Sequence, residues 1–258
     1  RRVAEANSAL HARWDAAVTV PLTYRECERA LVEKWSGATT VSFSDSSTAN
    51  ALLYFAGDAK VRVCGLNFAN GSRVGGGYRS GAQAQEEDLC RRLPNLYAAL
   101  CSASSRGMYP FGPSTCTSTS DPARYSDVLH TRDVVVARRG EEHMYRILPA
   151  PHQARVSIVT AAAPNLNFAS DIYDHGLMYE TVKTIFIGPK HVDPETTTLV
   201  LGAWGCGAFG CDPQEISALF ARAIKDGLGR LYREVHFAIP RSGSGARNAA
   251  GFQETFER

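Results

Sequence analysis

Two short glycine-rich segments, Gly75-Gly76-Gly77 and Gly202 to Gly210, each come soon after a run of apolar residues, and this repeated arrangement does most to limit the fold. The apolar runs at residues 61–70 and 198–201 read as buried strands. Behind each glycine segment a helical pattern begins, one near Gln85 and one at Asp212-Pro213, where Ile216, Leu219, Phe220, Ala223 and Ile224 repeat at helical spacing. Residues 155–160 and 234–239 read as further strands, and residues 177–187 as a helix. Strands alternating with helices imply an α/β fold with a mostly parallel sheet covered on both faces. Both glycine loops then leave the carboxyl ends of strands, where ligands bind in such folds.

The remaining elements are read from caps and breakers. A helix is predicted over residues 23–36, with Tyr24, Cys27, Leu31 and Trp35 on one face. Ser46-Ser47-Thr48 offers an N-cap for a helix reaching Phe55, and Gly57-Asp58 ends it. Pro94 splits the helix that starts near Gln85, leaving Leu96, Tyr97 and Leu100 to face inward in the second part. Residues 102–127, rich in proline, serine and threonine, read as a surface excursion with little regular structure. At 258 residues and 44% apolar content the chain suits one large domain with an added helical region. We place an N-terminal helical extension at residues 1–40 and the main domain at 41–258.

The glycine triplet and the residues after it carry the chemistry. Three glycines allow a backbone to approach an anion closely, and after a gap of seven residues the chain presents Gln85-Glu86-Glu87. An anion cradle beside two carboxyl groups suits hydrolysis of a phosphorylated sugar, since fixed N–H groups hold the phosphate while an acid protonates the departing oxygen. The strand before the triplet delivers Asn67 and Asn70 to the same place. Adjacent residues on a helix point about 100° apart, so Glu86 and Glu87 cannot flank a sugar from opposite faces, as the carboxylates of most glycosidases do. One acid and one sugar-orienting group is the arrangement the spacing allows.

Other chemistries find less support. The triplet lacks the G-x-G-x-x-G spacing of dinucleotide-binding turns, so no nicotinamide cofactor is expected. The seven histidines show no ligand spacing, and Cys206 and Cys211 match no zinc pattern, so no metal is expected either. Seven cysteines without a C-x-x-C pair favour a reducing interior compartment, cytoplasmic or nuclear. No apolar run is long enough to span a membrane. A net charge of +2 gives no bulk attraction to polyanions, so any such partner must be recognised locally.

The triplet, the seven-residue gap and Gln85-Glu86-Glu87 together resemble the signature of the poly(ADP-ribose) glycohydrolases, in their short bacterial form, and the segment from Leu201 to Pro213 is similar to that family's diphosphate-binding loop in sequence and order. The resemblance covers roughly residues 40–240. It implies a macrodomain-like three-layer α/β/α fold with extra N-terminal helices, and an enzyme that cuts ribose–ribose O-glycosidic bonds in poly(ADP-ribose), mainly from chain ends, in the setting of DNA damage. It implies Glu87 as catalytic acid, Glu86 on the distal ribose and Asn70 on ribose hydroxyls. Gly75, Gly76 and Gly77 fall in the substrate-binding set, with Gln85 stabilising the turn. Gly205, Cys206, Gly207, Ala208 and Gly210 offer backbone N–H groups to the diphosphate, and Phe209 packs on the distal ribose. Partners implied are poly(ADP-ribose), ADP-ribosylated proteins and the product ADP-ribose, with no cofactor. Val74 stands where the family commonly has proline, which implies a less rigid loop. Two other functions stay open: a macrodomain that binds ADP-ribose without cutting, and a hydrolase of mono-ADP-ribosylated protein or nucleic acid.

Overall fold

The structure, a computed structural model, describes residues 2–116, 124–167, 172–243 and 245–257. In chain order these form α1 (Arg2–Leu10), β1 (Val18–Leu22), α2 (Tyr24–Arg29), β2 (Thr40–Ser44), α3 (Thr48–Ala56), β3 (Val63–Ala69), α4 (Gln85–Arg92), α5 (Pro94–Ser105), β4 (Val128–Val136), β5 (Ala154–Ala162), α6 (His175–Val192), β6 (Thr198–Leu201), α7 (Pro213–Lys225), β7 (Glu234–Ala238) and α8 (Gly245–Glu257). The strands make one sheet in the order β1-β4-β5-β3-β6-β7-β2. From β5 to β2 every pairing is parallel, while β4 and β1 add an antiparallel edge.

Strand alternation decides which side chains reach which layer. On β3, Cys64 and Leu66 join the core shared with α6, α7 and α8, as do Val159, Leu199, Leu201, Val235 and Phe237 from the neighbouring strands. Val63, Ile158, Val200 and Ala238 point the other way, into a second core with α3, α4 and α5. Gly65 also faces this side, where a Cβ would sit 3.0 Å from Leu52 of α3, so the missing side chain lets the helix lie close to the sheet. Leu52 is fully buried, and cutting it to alanine should cost about 2–5 kcal/mol.

The three-layer α/β/α architecture and mostly parallel sheet agree with expectation, as do the N-cap at Ser47, the break at Pro94 and the Asp212 cap followed by Pro213. Several local readings are corrected. The helix expected over residues 23–36 stops at Arg29, because Ala30 is extended and the chain runs on to dock on the short turn at residues 228–231, where the Trp35 N–H donates to the Arg230 carbonyl. Cys27 is buried as expected, but Leu31 is fully exposed, and Trp35 lies under the Arg233 guanidinium at 4.4 Å. The first forty residues also hold strand β1, so they are not purely helical. Within the expected surface excursion α5 continues to Ser105, and Phe111, Gly112 and Tyr125 are buried; residues 117–123 lie outside the described residues.

Candidate active site

The carboxyl end of β3 and the start of α4 are joined by one side chain. Gln85 donates from Nε2 to the Leu66 carbonyl at 2.8 Å and to Thr48 Oγ1 at 3.0 Å, and its Oε1 accepts the Phe68 N–H at 2.9 Å. The amide thus stands in for a strand neighbour beside β3 and fixes where α4 begins. Two turns on, Arg92 fixes the other end. Its guanidinium, almost wholly buried, donates to Ser47 Oγ, Asn50 Oδ1 and the Arg138 carbonyl, with Asp88 as its ion partner at 3.9 Å. From outside, Asn7 of α1 donates to the Cys90 and Arg91 carbonyls, two of the acceptors a helix end leaves over.

Between these anchors lie the two acids. Glu86 accepts Asn67 Nδ2 on Oε1 at 3.3 Å and the Asn70 N–H on Oε2 at 2.9 Å, while Glu87 Oε1 accepts the Gly77 N–H at 2.7 Å. Gly76 sits against both: its φ is +54°, and a Cβ there would lie 2.5 Å from Glu87 Oε1 and 3.1 Å from Glu86 Oε2. No other residue fits this place. The triplet therefore brings its backbone against the protein's own carboxyl groups, a use of close approach that differs from the anion cradle read from sequence. Asn70 serves the same loop, since its Oδ1 accepts the N–H groups of Ser72 and Arg73 at 3.0 and 2.9 Å. Val74, the departure from the family's proline, packs against the core shared with α4.

Burial pushes the Glu86 carboxyl up to about 8, against the pull of the Asn70 and Asn67 donors and with help from the charge of Glu87. Three buried polar atoms nearby have no hydrogen-bond partner: Asn67 Oδ1, Glu87 Oε2 and the Tyr109 hydroxyl. Burial, and then the Glu86 charge, raises that phenol well beyond its usual range. Unsatisfied buried polar atoms are rare and costly. Their gathering around two carboxyl groups marks a place built for a polar guest.

The second glycine loop, after β6, has another character. Gly205 has φ +76°, and a Cβ there would lie 2.7 Å from Ala163 and 2.9 Å from the Cys211 sulfur, so it makes the tight turn out of the sheet. The N–H groups of Cys206 and Gly210 close turns within the loop on Ala203 and Gly207 carbonyls. Around Gly207, by contrast, nothing comes within 4 Å of a would-be Cβ. Asn165 and Asn167 brace the loop from the end of β5, Asn167 donating to the Ala208 carbonyl at 2.7 Å and to Asn165 Oδ1 at 2.9 Å.

A cavity of about 780 Å³ runs over these strand ends. Gln85, Gly205, Gly207, Ala208 and Phe209 are on its wall, and Phe209 packs on the core with its other side. Cys206 and Gly210 are not, nor are Asn70, Gly75, Gly76, Gly77, Glu86 and Glu87. The wall also takes residues to which sequence reading gave no part in the site, Asp45, Ser46, Ser47, Thr48 and Asn50 after β2, and Ile239, Pro240 and Asn248 around the start of α8. They lie beyond the ends of β2 and β7, and the signal that could have found them is the short alternation Val41-Ser42-Phe43-Ser44 followed by Asp45-Ser46-Ser47, a strand running into a cap. Among the described residues no group of three or more His, Cys, Asp or Glu side chains could hold a metal ion, and no helix is long and apolar enough to cross a membrane. The thiols of Cys206 and Cys211 turn onto backbone carbonyls, of Trp204 at 3.4 Å and Pro164 at 3.6 Å.

A mostly parallel α/β sheet with glycine loops, an acid pair and a cleft across its carboxyl edge defines a macrodomain-like protein. The sequence pattern of the microbial-type PARG catalytic domain matches residues 3–139, and the chain belongs to this family of poly(ADP-ribose) glycohydrolase domains. Among solved structures, poly(ADP-ribose) glycohydrolase from Thermomonospora curvata is 25% identical, with a TM-score of 0.82 over 99% of this chain and 98% of that one. The same enzyme bound to the inhibitor ADP-HPD gives 25% and 0.79, over 98% and 97% of the two chains. The enzyme from Deinococcus radiodurans in complex with ADP-ribose is 26% identical, with a TM-score of 0.77 over 97% of each chain. No curated sequence matches at a significant level.

Proposed function

We propose that this protein hydrolyses the ribose–ribose O-glycosidic bonds of poly(ADP-ribose), mainly from chain ends, releasing ADP-ribose. The observation that carries the reading is Gly76 pressed between Glu86 and Glu87, with Glu87 Oε2 and Asn67 Oδ1 buried and unpartnered beside it. A module that only binds ADP-ribose has no need of two acids in such a setting. ADP-ribose and ADP-HPD bound to the two related bacterial enzymes support a ligand of the same kind here.

In this mechanism Glu87 is the general acid. It gives its proton to the 2′-oxygen of the neighbouring unit as the glycosidic bond breaks, leaving an oxocarbenium-like ribose, and the carboxylate then takes a proton from the water that adds to it. The Gly77 N–H holds Oε1, so the unpartnered Oε2 is the oxygen free to work. Glu86 and the amide of Asn70 orient the distal ribose. The N–H groups of Gly207 and Ala208 face the diphosphate, because those of Cys206 and Gly210 are spent within the loop. Phe209 limits the tilt of the ribose. On this reading one end of the cleft is closed beside the adenine-side ribose, as the family resemblance implies, which favours chain ends.

Digestion of poly(ADP-ribose), run beside digestion of a mono-ADP-ribosylated protein, tests this. Early time points are expected to show free ADP-ribose and slowly shortening chains, with the protein-linked unit left in place. Abundant mid-length oligomers at low conversion would refute the closed end, and release of the protein-linked unit would favour a mono-ADP-ribose hydrolase.

A further inference from the structure

A second cavity, of about 350 Å³, opens on the far side of α4. Its wall is made by Arg2 and Val3 of α1, Gly81 and Gln83 of the first glycine loop, Arg91 of α4, Glu141 and Tyr145. Gln83, Glu141 and Tyr145 line the main cavity as well, so the two spaces are neighbours through a shared wall. No residue of the second glycine loop borders it.

Arg91 is only 6% exposed. One nitrogen of its guanidinium, Nη2, donates to the Ala82 carbonyl, and the Tyr145 ring lies 5.7 Å from its centre. The other, Nη1, is buried without a hydrogen-bond partner. A guanidinium offers its donors in a fixed fork that matches oxyanions, and a buried cationic N–H left without an acceptor is costly. The acid on the wall, Glu141, is exposed and already accepts Gln83 Nε2 at 2.9 Å, while Asp88, one turn back on α4, lies within electrostatic reach of Arg91 but is shared with Arg92 and Tyr145. Asn7 holds α1 against the end of α4 and so brings Arg2 to this place.

Arg91 follows Glu87 by four residues on the same helix. The two side chains share a face, about 6 Å apart along the axis. We propose that Arg91, with Arg2, is an anion subsite for the diphosphate of the departing part of the polymer, the unit whose 2′-oxygen takes the proton from Glu87. This rests on the glycohydrolase reading. The bound unit's own diphosphate goes to the second glycine loop, so an anion at Arg91 belongs to the other side of the bond being cut. The subsite would prefer a polymer to an ADP-ribose conjugate with a small neutral leaving group.

Steady-state hydrolysis of poly(ADP-ribose) and of ADP-ribose linked at the distal ribose to a nitrophenol decides it. For Arg91→Gln the ratio of kcat/KM on polymer to that on the conjugate is expected to fall about tenfold, chiefly through KM on polymer, with a shallower dependence on salt. Arg2→Gln, which leaves the Arg91 bond to Ala82 in place, should lower the ratio in the same direction by about threefold. An unchanged ratio in both variants, whether through equal losses on the two substrates or through none, overturns the subsite and reduces Arg91 to a brace for the loop. If the unaltered protein cleaves no polymer, the glycohydrolase reading fails first and the subsite with it; if it cleaves polymer, the variants judge the subsite alone.

Discussion

The two glycine loops sit at the ends of neighbouring strands, β3 and β6, and use glycine for opposite ends. In the first, Gly76 leaves room for the protein's own acids, and the Gly77 N–H is spent on Glu87. In the second, Gly205 makes the turn, and Gly207 lies open on the cavity wall with nothing near it. One loop is packed inward to hold chemistry in place. The other is laid open to receive something. The difference teaches that a run of glycines marks a close approach without saying what approaches.

The sharpest test of the inward loop is the acid it holds. Glu87→Gln should lower polymer hydrolysis by at least about a hundredfold, the low end for losing general acid–base help, while ADP-ribose affinity measured by calorimetry persists. Near-full activity would remove Glu87 from its role. Next comes the contrast between the loops themselves. Gly76→Ala puts a Cβ onto both carboxyl groups at a positive φ, and should destabilise the fold by about 1–3 kcal/mol in urea melts and disable catalysis. Gly207→Ala should stay within about 0.5 kcal/mol, and any effect should be on ADP-ribose affinity. Equal destabilisation by both would break the comparison.

A smaller effect is expected at Phe209, which touches core and cavity together. Phe209→Ala should lower turnover several-fold more than it weakens ADP-ribose binding, since a ring that restrains the reacting ribose acts mostly on the chemical step. Stability and activity falling in parallel would make it a packing residue instead. The smallest effect is a slope with pH. Glu86 keeps its proton up to about 8 in the folded protein against an ordinary value of 4.5, so the folded state binds a proton that the unfolded chain gives up in that window. Its contribution to stability is complete below about pH 4.5 and is lost as pH rises through about 8. Wild type should therefore lose stability relative to Glu86→Gln over this range, and parallel pH curves for the two proteins would contradict the buried proton.

Elements with a strong local signal are legible in the amino-acid sequence. Ser47 and Asp212 cap their helices where expected, and Pro94 parts α4 from α5, because caps and proline act through a few adjacent atoms. Strands β1 and β4 are not legible in this way. β1 is short and carries Pro21 at the sheet edge, and β4 is broken by a register shift between Thr131 and Val134, with Asp133 at φ +62°. The helix expected past Arg29 does not form because tertiary contacts, the Trp35 N–H on the Arg230 carbonyl and its ring under Arg233, outweigh a modest helical preference.

The sequence by itself determined the family-level pattern: which glycines, which acids, and in what order along the chain. Spacing on one helix was enough to say that Glu86 and Glu87 could not act as mirror images across a sugar. The tertiary structure decided what each group faces. It turned the glycine triplet toward the carboxyl groups, gave Glu86 two donors and a buried setting that holds its proton, and left Glu87 Oε2 unpartnered. It also brought Asn7 to the end of the acid helix across more than eighty residues of chain. Burial and partners of this kind depend on contacts far apart in sequence, and a local pattern has no means to record them.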